Sequence, residues 1–219
     1  MNWFYACCIV LVLIVVGFMM FIFMPKPIVF YEPYTDCINI FTDNHELLKK
    51  EILENDTTTP VVPIYGFDAI QTHKYPETYK LLRCMPYVRF AGILNLRTKF
   101  SQLATYSYAP VANNTIRFFY TIDGTGTNKA GVWIDGEKRF FEEKTWICGD
   151  MSREHSLFNN DKYKSITVLF IDIDRHENIH KGTSKNDDLD TDEILSQFAA
   201  NVEQTEEHGG QGELTEQTE

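Results

Sequence analysis

Between residues 89 and 173 the chain offers six short runs rich in β-branched and aromatic residues: RFAGILNL, TIRFFYTI, AGVWI, KRFFEE, KTWIC and SITVLFIDI. Turn signals, not helical segments, separate them. Asp135-Gly136, between VWI and EKRFF, is a strong two-residue hairpin signal, and IDGTGTN reads as a longer glycine-rich turn. Several short strands spaced this way close into an antiparallel sandwich or barrel. This pattern constrains the fold more than any other feature of the sequence.

Ahead of the strands lie two helical segments. In TDNHELLKKEILEN, residues 42–55, Leu47, Leu48, Ile52 and Leu53 fall on one face, and Thr42 or Asp43 supplies a cap. PETYKLLRCM, residues 76–85, starts on Pro76, which suits a first helical turn. TTTPVVPIYGF between them reads as a proline-rich connection. With 219 residues, 44% of them hydrophobic, the chain can build one core-bearing domain with extensions on either side. The expectation is a mainly β domain with flanking helices over residues 28–185.

The extensions differ in kind. Residues 3–24, WFYACCIVLVLIVVGFMMFIFM, hold no charge and no amide. About 20 apolar residues suffice to cross a membrane, whereas the apolar core of a cleaved signal is shorter and ends at small residues. Here the run ends in bulky FIFM and Pro25-Lys26-Pro27, so residues 1–27 read as an uncleaved single-pass anchor. Its orientation stays open. Lys26, Lys49 and Lys50 follow the helix and favour a cytoplasmic domain, while the sequons starting at Asn55 and Asn113 suit a lumenal one. Residues 186–219 form an acidic tail of disordered composition, in which LDTDEILSQFAANVE has helical amphipathicity.

The net charge of -11 belongs to that tail, whose eleven acids face no Lys or Arg; the 20 acids before it balance the chain's 20 bases. No basic stripe exists to bind nucleic acid. The five cysteines include no CxxC pair, which removes a zinc cluster or a disulfide scaffold; one disulfide is possible, between partners the sequence does not choose.

Two stretches carry metal-ligand residues. HENIH, residues 176–180, fits the H-E-x-x-H spacing of zinc proteases, but that chemistry needs both histidines on one helical face. Here a β-branched run precedes the motif and Lys-Gly-Thr-Ser follows it, so the reading is a polar strand exit. The second is SREHSLFNND, residues 152–161, with His155 at its centre.

The surrounding segment, GVWIDGEKRFFEEKTWICGDMSREHSLFNND, resembles the aspartyl/asparaginyl β-hydroxylase family. The residues that carry the resemblance are Gly131, then Gly136-Glu137 and Arg139, then Phe141 and Glu143, then Asp150, Ser152, Glu154 and His155. It extends upstream through YPETYKLLRCMPYV and covers roughly residues 40–175. The family implies a double-stranded β-helix, a jelly roll of the cupin type, and 2-oxoglutarate-dependent hydroxylation of Asp or Asn in a protein or peptide substrate. It implies Fe(II), held by two His in this branch and by a carboxylate as well in most non-haem iron oxygenases. His155 matches the family's second metal histidine. Tyr108 stands where the first should be, and Phe119 replaces a supporting His. Arg117 is retained as a cosubstrate-side cation, and Lys164 (or Lys162) stands near the position of the cosubstrate Arg, without its bidentate fork. His73, before the second helix, is an outside candidate for the missing ligand. Two functions follow: a membrane-anchored oxygenase with rearranged iron ligands, or a pseudo-hydroxylase that binds partners or serves a structural role in a membrane, in a viral envelope for example.

Overall fold

The computed structural model describes residues 3–22, 27–33, 38–55, 59, 61–66, 73–98, 100–102, 109–124, 126 and 128–184. In chain order the elements are α1 (Trp3–Ile22), β1 (Phe30–Tyr31), α2 (Ile38–Asp43), α3 (His45–Asn55), β2 (Val61–Tyr65), α4 (Pro76–Cys84), β3 (Val88–Leu96), β4 (Phe100–Gln102), α5 (Ala109–Asn114), β5 (Thr115–Asp123), β6 (Ala130–Ile134), β7 (Glu137–Phe140), β8 (Trp146–Gly149), β9 (His155–Asn159) and β10 (Ile166–Asp174).

Two antiparallel sheets face each other. The larger has the order β1-β8-β5-β10-β3-β2 and the smaller β4-β9-β6-β7. Sequence neighbours β9 and β10, or β5 and β6, lie in different sheets, which is the crossing of a jelly roll. Strand alternation then sorts the side chains. On β5, Phe119 points between the sheets with Val132, Ile134 and Phe170. Its neighbours Ile116, Phe118, Tyr120 and Ile122 point the other way, under Phe41, Leu48, Ile52, Leu81 and Leu82 of the helices. The large sheet is thus apolar on both faces, and that is why β5 and β10 read as continuous apolar runs rather than alternating ones.

The hairpin signal is met: Asp135 (φ 44) and Gly136 (φ 90) make the tight turn from β6 to β7. Other readings are corrected. The single helix over 42–55 is two, α2 and α3, parted at Asn44, whose side-chain amide donates to the Ile40 carbonyl at 2.8 Å. The buried face is Phe41, His45, Leu48 and Ile52, a cleaner 3.6-residue spacing, and Leu47 is 45% exposed. The connection TTTPVVPIYGF contains β2, an edge strand in which Pro63 sits at a bulge, where a missing N–H costs no ladder bond. KRFFEE stops being a strand after Phe140, because Phe141 turns into the core between the sheets.

Helix α4 is capped from outside its own chain segment. The Glu51 carboxylate on α3 accepts from the Glu77 and Thr78 backbone N–H groups at 2.8 and 2.9 Å and from the Thr78 hydroxyl at 2.6 Å. A negative group there satisfies the free N–H groups of the first turn and locks α3 to α4.

α1 is a helix of 20 residues without a charge, about 30 Å long at 1.5 Å per residue. Its side chains are described without a break only over residues 9–19, and all of those are exposed. Among the described residues no helix is long and apolar enough to cross a membrane. The acidic tail lies outside the described residues.

Candidate functional site

One end of the barrel gathers most of the residues singled out by the sequence. It is the end where β5 and β9 start and β8 and β10 finish. Arg117 pairs there with Gly149 on one side and Asp172 on the other, and Ile134 pairs with His155 across the small sheet. Directly paired residues share a face, and Ile134 belongs to the core between the sheets. His155 and Arg117 therefore project into the same space from opposite sheets.

The polar groups of this mouth are not idle. Arg117 grips Asp172 with both prongs, Nε to Oδ1 at 2.7 Å and Nη2 to Oδ2 at 2.6 Å. Its guanidinium also lies 4.7 Å from the centre of the Phe170 ring. Asp172 is 4% exposed and Arg117 20%, so the pair fills the inner face rather than standing in water. His155 is 8% exposed. Its Nδ1 lies 2.7 Å from the Arg153 carbonyl. A carbonyl only accepts, so Nδ1 carries the proton and Nε2 keeps a lone pair; no hydrogen-bond partner for Nε2 lies among the described residues.

Burial holds the His155 imidazole below the usual histidine range, and the nearby Arg117 adds to this, against the opposing bond to Arg153 and the charge of Asp150. His155 is thus neutral at pH 7. Because the folded state resists the proton and the unfolded state does not, stability is full above the ordinary value of 6.5 and declines as pH falls below it. Urea unfolding of the full chain between pH 7 and pH 5 should show this loss, and His155→Gln should shrink it. An identical pH dependence in both chains contradicts the assignment.

Asp150 and Ser152, two members of the family-like segment, serve a different arrangement. The Arg175 guanidinium contacts Asp150 Oδ1 through Nη2 and Oδ2 through Nη1, the latter at 3.2 Å. It also donates to Ser152 Oγ at 3.2 Å, the Ala112 carbonyl at 2.8 Å and the His180 carbonyl at 3.0 Å. Ser152 donates in turn to Asp150 through its N–H and its hydroxyl. The cluster fixes the turn that delivers His155 into β9. It also straps the chain after β10 across this end: Thr183 N–H donates to Ser152 Oγ, and Asn113 and Ser184 exchange two bonds. The strap packs so closely that a Cβ at Gly182 would stand 2.5 Å from Asn113 Cα. Asn113 is 2% exposed, so the folded chain has no room for a glycan there.

Other sequence candidates are placed elsewhere. Lys164 sits at the opposite end, donating to Asp123 at 3.0 Å and to the Gly124 carbonyl at 2.7 Å. Asp123 and Arg117 are six positions apart on β5, about 20 Å, so Lys164 and His155 are not brought together. Glu143, from the same family-like stretch, pairs with Lys49 at 2.7 Å and reaches His45 at 3.3 Å at that far end. His73 is an exposed turn residue ahead of α4, on the helix-covered side. Tyr108 lies outside the described residues. His176 and His180 stand exposed in a turn closed by Ile179 N–H to the His176 carbonyl, not on a helix. Cys84 is exposed, with its thiol on the Lys80 carbonyl at 3.4 Å, and the Cys148 thiol is buried.

Arg175 and Asp172 are the residues the sequence reading passed over. A signal existed for the second: in ITVLFIDID, position 172 shares the inward parity of 166, 168 and 170, and an acid on a buried face requires a cation.

Iron needs two or three donors around one point. Among the described residues no group of three His, Cys, Asp or Glu side chains is arranged to hold a metal. His155 offers one imidazole, and the carboxylate that shares the inner face, Asp172, is closed by Arg117. The described residues therefore do not fit Fe(II).

No family model matches the chain, and no curated protein matches it. Solved structures similar to it include the cupin-2 domain of an XRE-family transcriptional regulator from Enterobacter cloacae, at 16% identity over 53% of this chain and 96% of that one, TM-score 0.35. Another is a cupin-2 conserved barrel domain protein from Salinispora arenicola, at 10% identity over 67% and 87%, TM-score 0.34. A third is a predicted oxalate decarboxylase from Thermotoga maritima, at 13% identity over 41% and 69%, TM-score 0.32. At overlaps this loose, the jelly roll rests on the chain's own sheet order, and no metal or substrate passes to it from these proteins.

Proposed function

We propose that the chain is a membrane-anchored jelly-roll protein of β-hydroxylase-like sequence that binds a protein or peptide partner without running the oxygenase reaction. The observation that supports this is the bidentate Arg117–Asp172 pair. It uses the retained cation and the inner-face carboxylate on each other, beside a single imidazole. The anchor rests on the sequence, whose run over residues 3–24 holds no charge and no amide and has the roughly 20 apolar residues a crossing needs. The oxygenase alternative draws on Nε2 of His155, which has no hydrogen-bond partner among the described residues and carries its proton on the other ring nitrogen, as a ligand would.

The two readings separate in one experiment on the full chain in detergent. Anaerobic Fe(II) titration and succinate formation from 2-oxoglutarate are measured for the native protein and for His155→Ala. The proposal expects iron well below one per chain and no succinate above the variant's background. One iron per chain, with succinate release lost in His155→Ala, overturns it.

A further inference from the structure

The chain enters the barrel at the mouth. Phe30 pairs with Gly149, which pairs with Arg117, and just before it the Val29 carbonyl accepts from Asp150 N–H at 2.9 Å. Val29 is 2% exposed, so the domain holds the chain from about this point. From Ile22, the last residue of α1, to Pro27 the chain advances five residues, at most about 18 Å even fully extended. Pro25 and Pro27 stiffen that link by fixing φ.

Outside α1, the exposed large apolar side chains among the described residues are Ile28, Ile40, Leu47, Tyr87 and Tyr163. Ile28 and Tyr87, 68% and 73% exposed, belong to the mouth end. Tyr87 immediately precedes Val88, the partner of Ile173, and its carbonyl accepts from Asp174 N–H at 3.1 Å. Its backbone has φ 62, a left-handed conformation costly for a bulky side chain, and nothing in the core repays the ring for it. The same end carries the exposed Lys181 of the strap, along with the exposed acids Glu32, Glu154 and Glu177. An exposed aromatic and an exposed aliphatic residue at the end where the apolar helix joins the domain suit a membrane–water interface, where aromatic rings gather.

We propose that this end of the barrel rests on the lipid surface, with Tyr87 and Ile28 in the headgroup layer and Lys181 over lipid phosphates. The space between Arg117 and His155 then faces the bilayer, and a ligand reaches it only from within the membrane-proximal layer. This rests on the membrane anchor proposed above, and the test keeps the two apart.

Tyr163 is an internal control: 91% exposed, it lies in the turn between β9 and β10 at the Lys164 end, about 20 Å farther along the barrel. In a full chain carrying Cys7→Ser, Cys8→Ser, Cys37→Ser and Cys84→Ser, with buried Cys148 kept, an environment-sensitive fluorophore is attached through Tyr87→Cys or Tyr163→Cys. Each chain is reconstituted into phosphatidylcholine–phosphatidylserine vesicles bearing a nitroxide on the headgroup. The expected result is quenching several-fold stronger at position 87 than at 163, with the chain resisting alkaline extraction. Equal or reversed quenching in a chain that resists extraction overturns the orientation and leaves the anchor standing. Release of the chain by alkali overturns both.

Discussion

Arg117→Ala will destabilise the domain by about 3–5 kcal/mol, the usual cost of breaking a buried ion pair from one side. The size follows from what remains. Asp172 is 4% exposed, and without the guanidinium its carboxylate faces Phe170 and the apolar inner wall, with two strong hydrogen bonds gone. The reverse change, Asp172→Ala, should cost less, because Arg117 at 20% exposure can turn part of its charge to water. Adding Asp172→Asn to Arg117→Ala should recover a large part of the loss, since a neutral amide is far cheaper to bury than an unpaired carboxylate. Urea unfolding followed by fluorescence of Trp133 and Trp146 compares the native chain with these three variants. A loss below about 1 kcal/mol in Arg117→Ala would place the pair among solvated surface bridges and remove the observation on which the non-oxygenase reading rests.

Arg175→Ala should cost a similar amount, about 3–5 kcal/mol, but with a different signature. Arg175 and Asp150 are 6% and 5% exposed. The guanidinium ties together the turn before β9, the end of α5 at Ala112 and the strap at His180. Its removal leaves Asp150 buried with only Ser152 and the more distant Arg153 at 3.7 Å. Backbone N–H exchange should then accelerate at residues 150–155 and 182–184, while β3, β5 and β10 keep their protection. Arg175→Lys should restore charge but not the fork, and so recover only part of the stability. Uniform acceleration across the sheets would show that the cluster supports the whole barrel rather than the mouth.

The legible and illegible parts of the chain divide along the range of the interactions. The Asp135-Gly136 turn, the Pro76 helix start and the apolar runs of β3, β5 and β10 were readable because each is set by neighbouring residues. The break at Asn44 and the inward turn of Phe141 were not. Both are settled by partners far along the chain: the β5 face that receives Phe41, His45 and Leu48, and the gap between the sheets that receives Phe141. β2 was missed for a related reason. An edge strand makes bonds on one side only, so it can hold Pro63 and lose the sequence signature of a strand.

The candidate site shows the same division more sharply. The family-like spacing singled out His155 and Arg117 for metal and cosubstrate roles, and the strand register sets both on the inner face at one end of the barrel. The same spacing also grouped Lys164 with them, and there it met a limit. Lys164 is only nine residues from His155 in sequence, but β9 runs the length of the barrel between them, and the lysine ends on Asp123 at the far end.

By itself, the sequence determined the antiparallel β class, the two helical segments before it, the uncharged N-terminal helix and the confinement of negative charge to the tail, all matters of local pattern and composition. Only the tertiary structure decided what the charged residues are for. A carboxylate at position 172 could ligate, catalyse or pair, and its chemistry is the same in each case. The barrel chose pairing by placing Arg117 directly opposite it on β5, and it set Arg175 to hold Asp150 rather than a ligand. Burial makes such choices binding, because a charge removed from water must take the partner that the fold puts within reach.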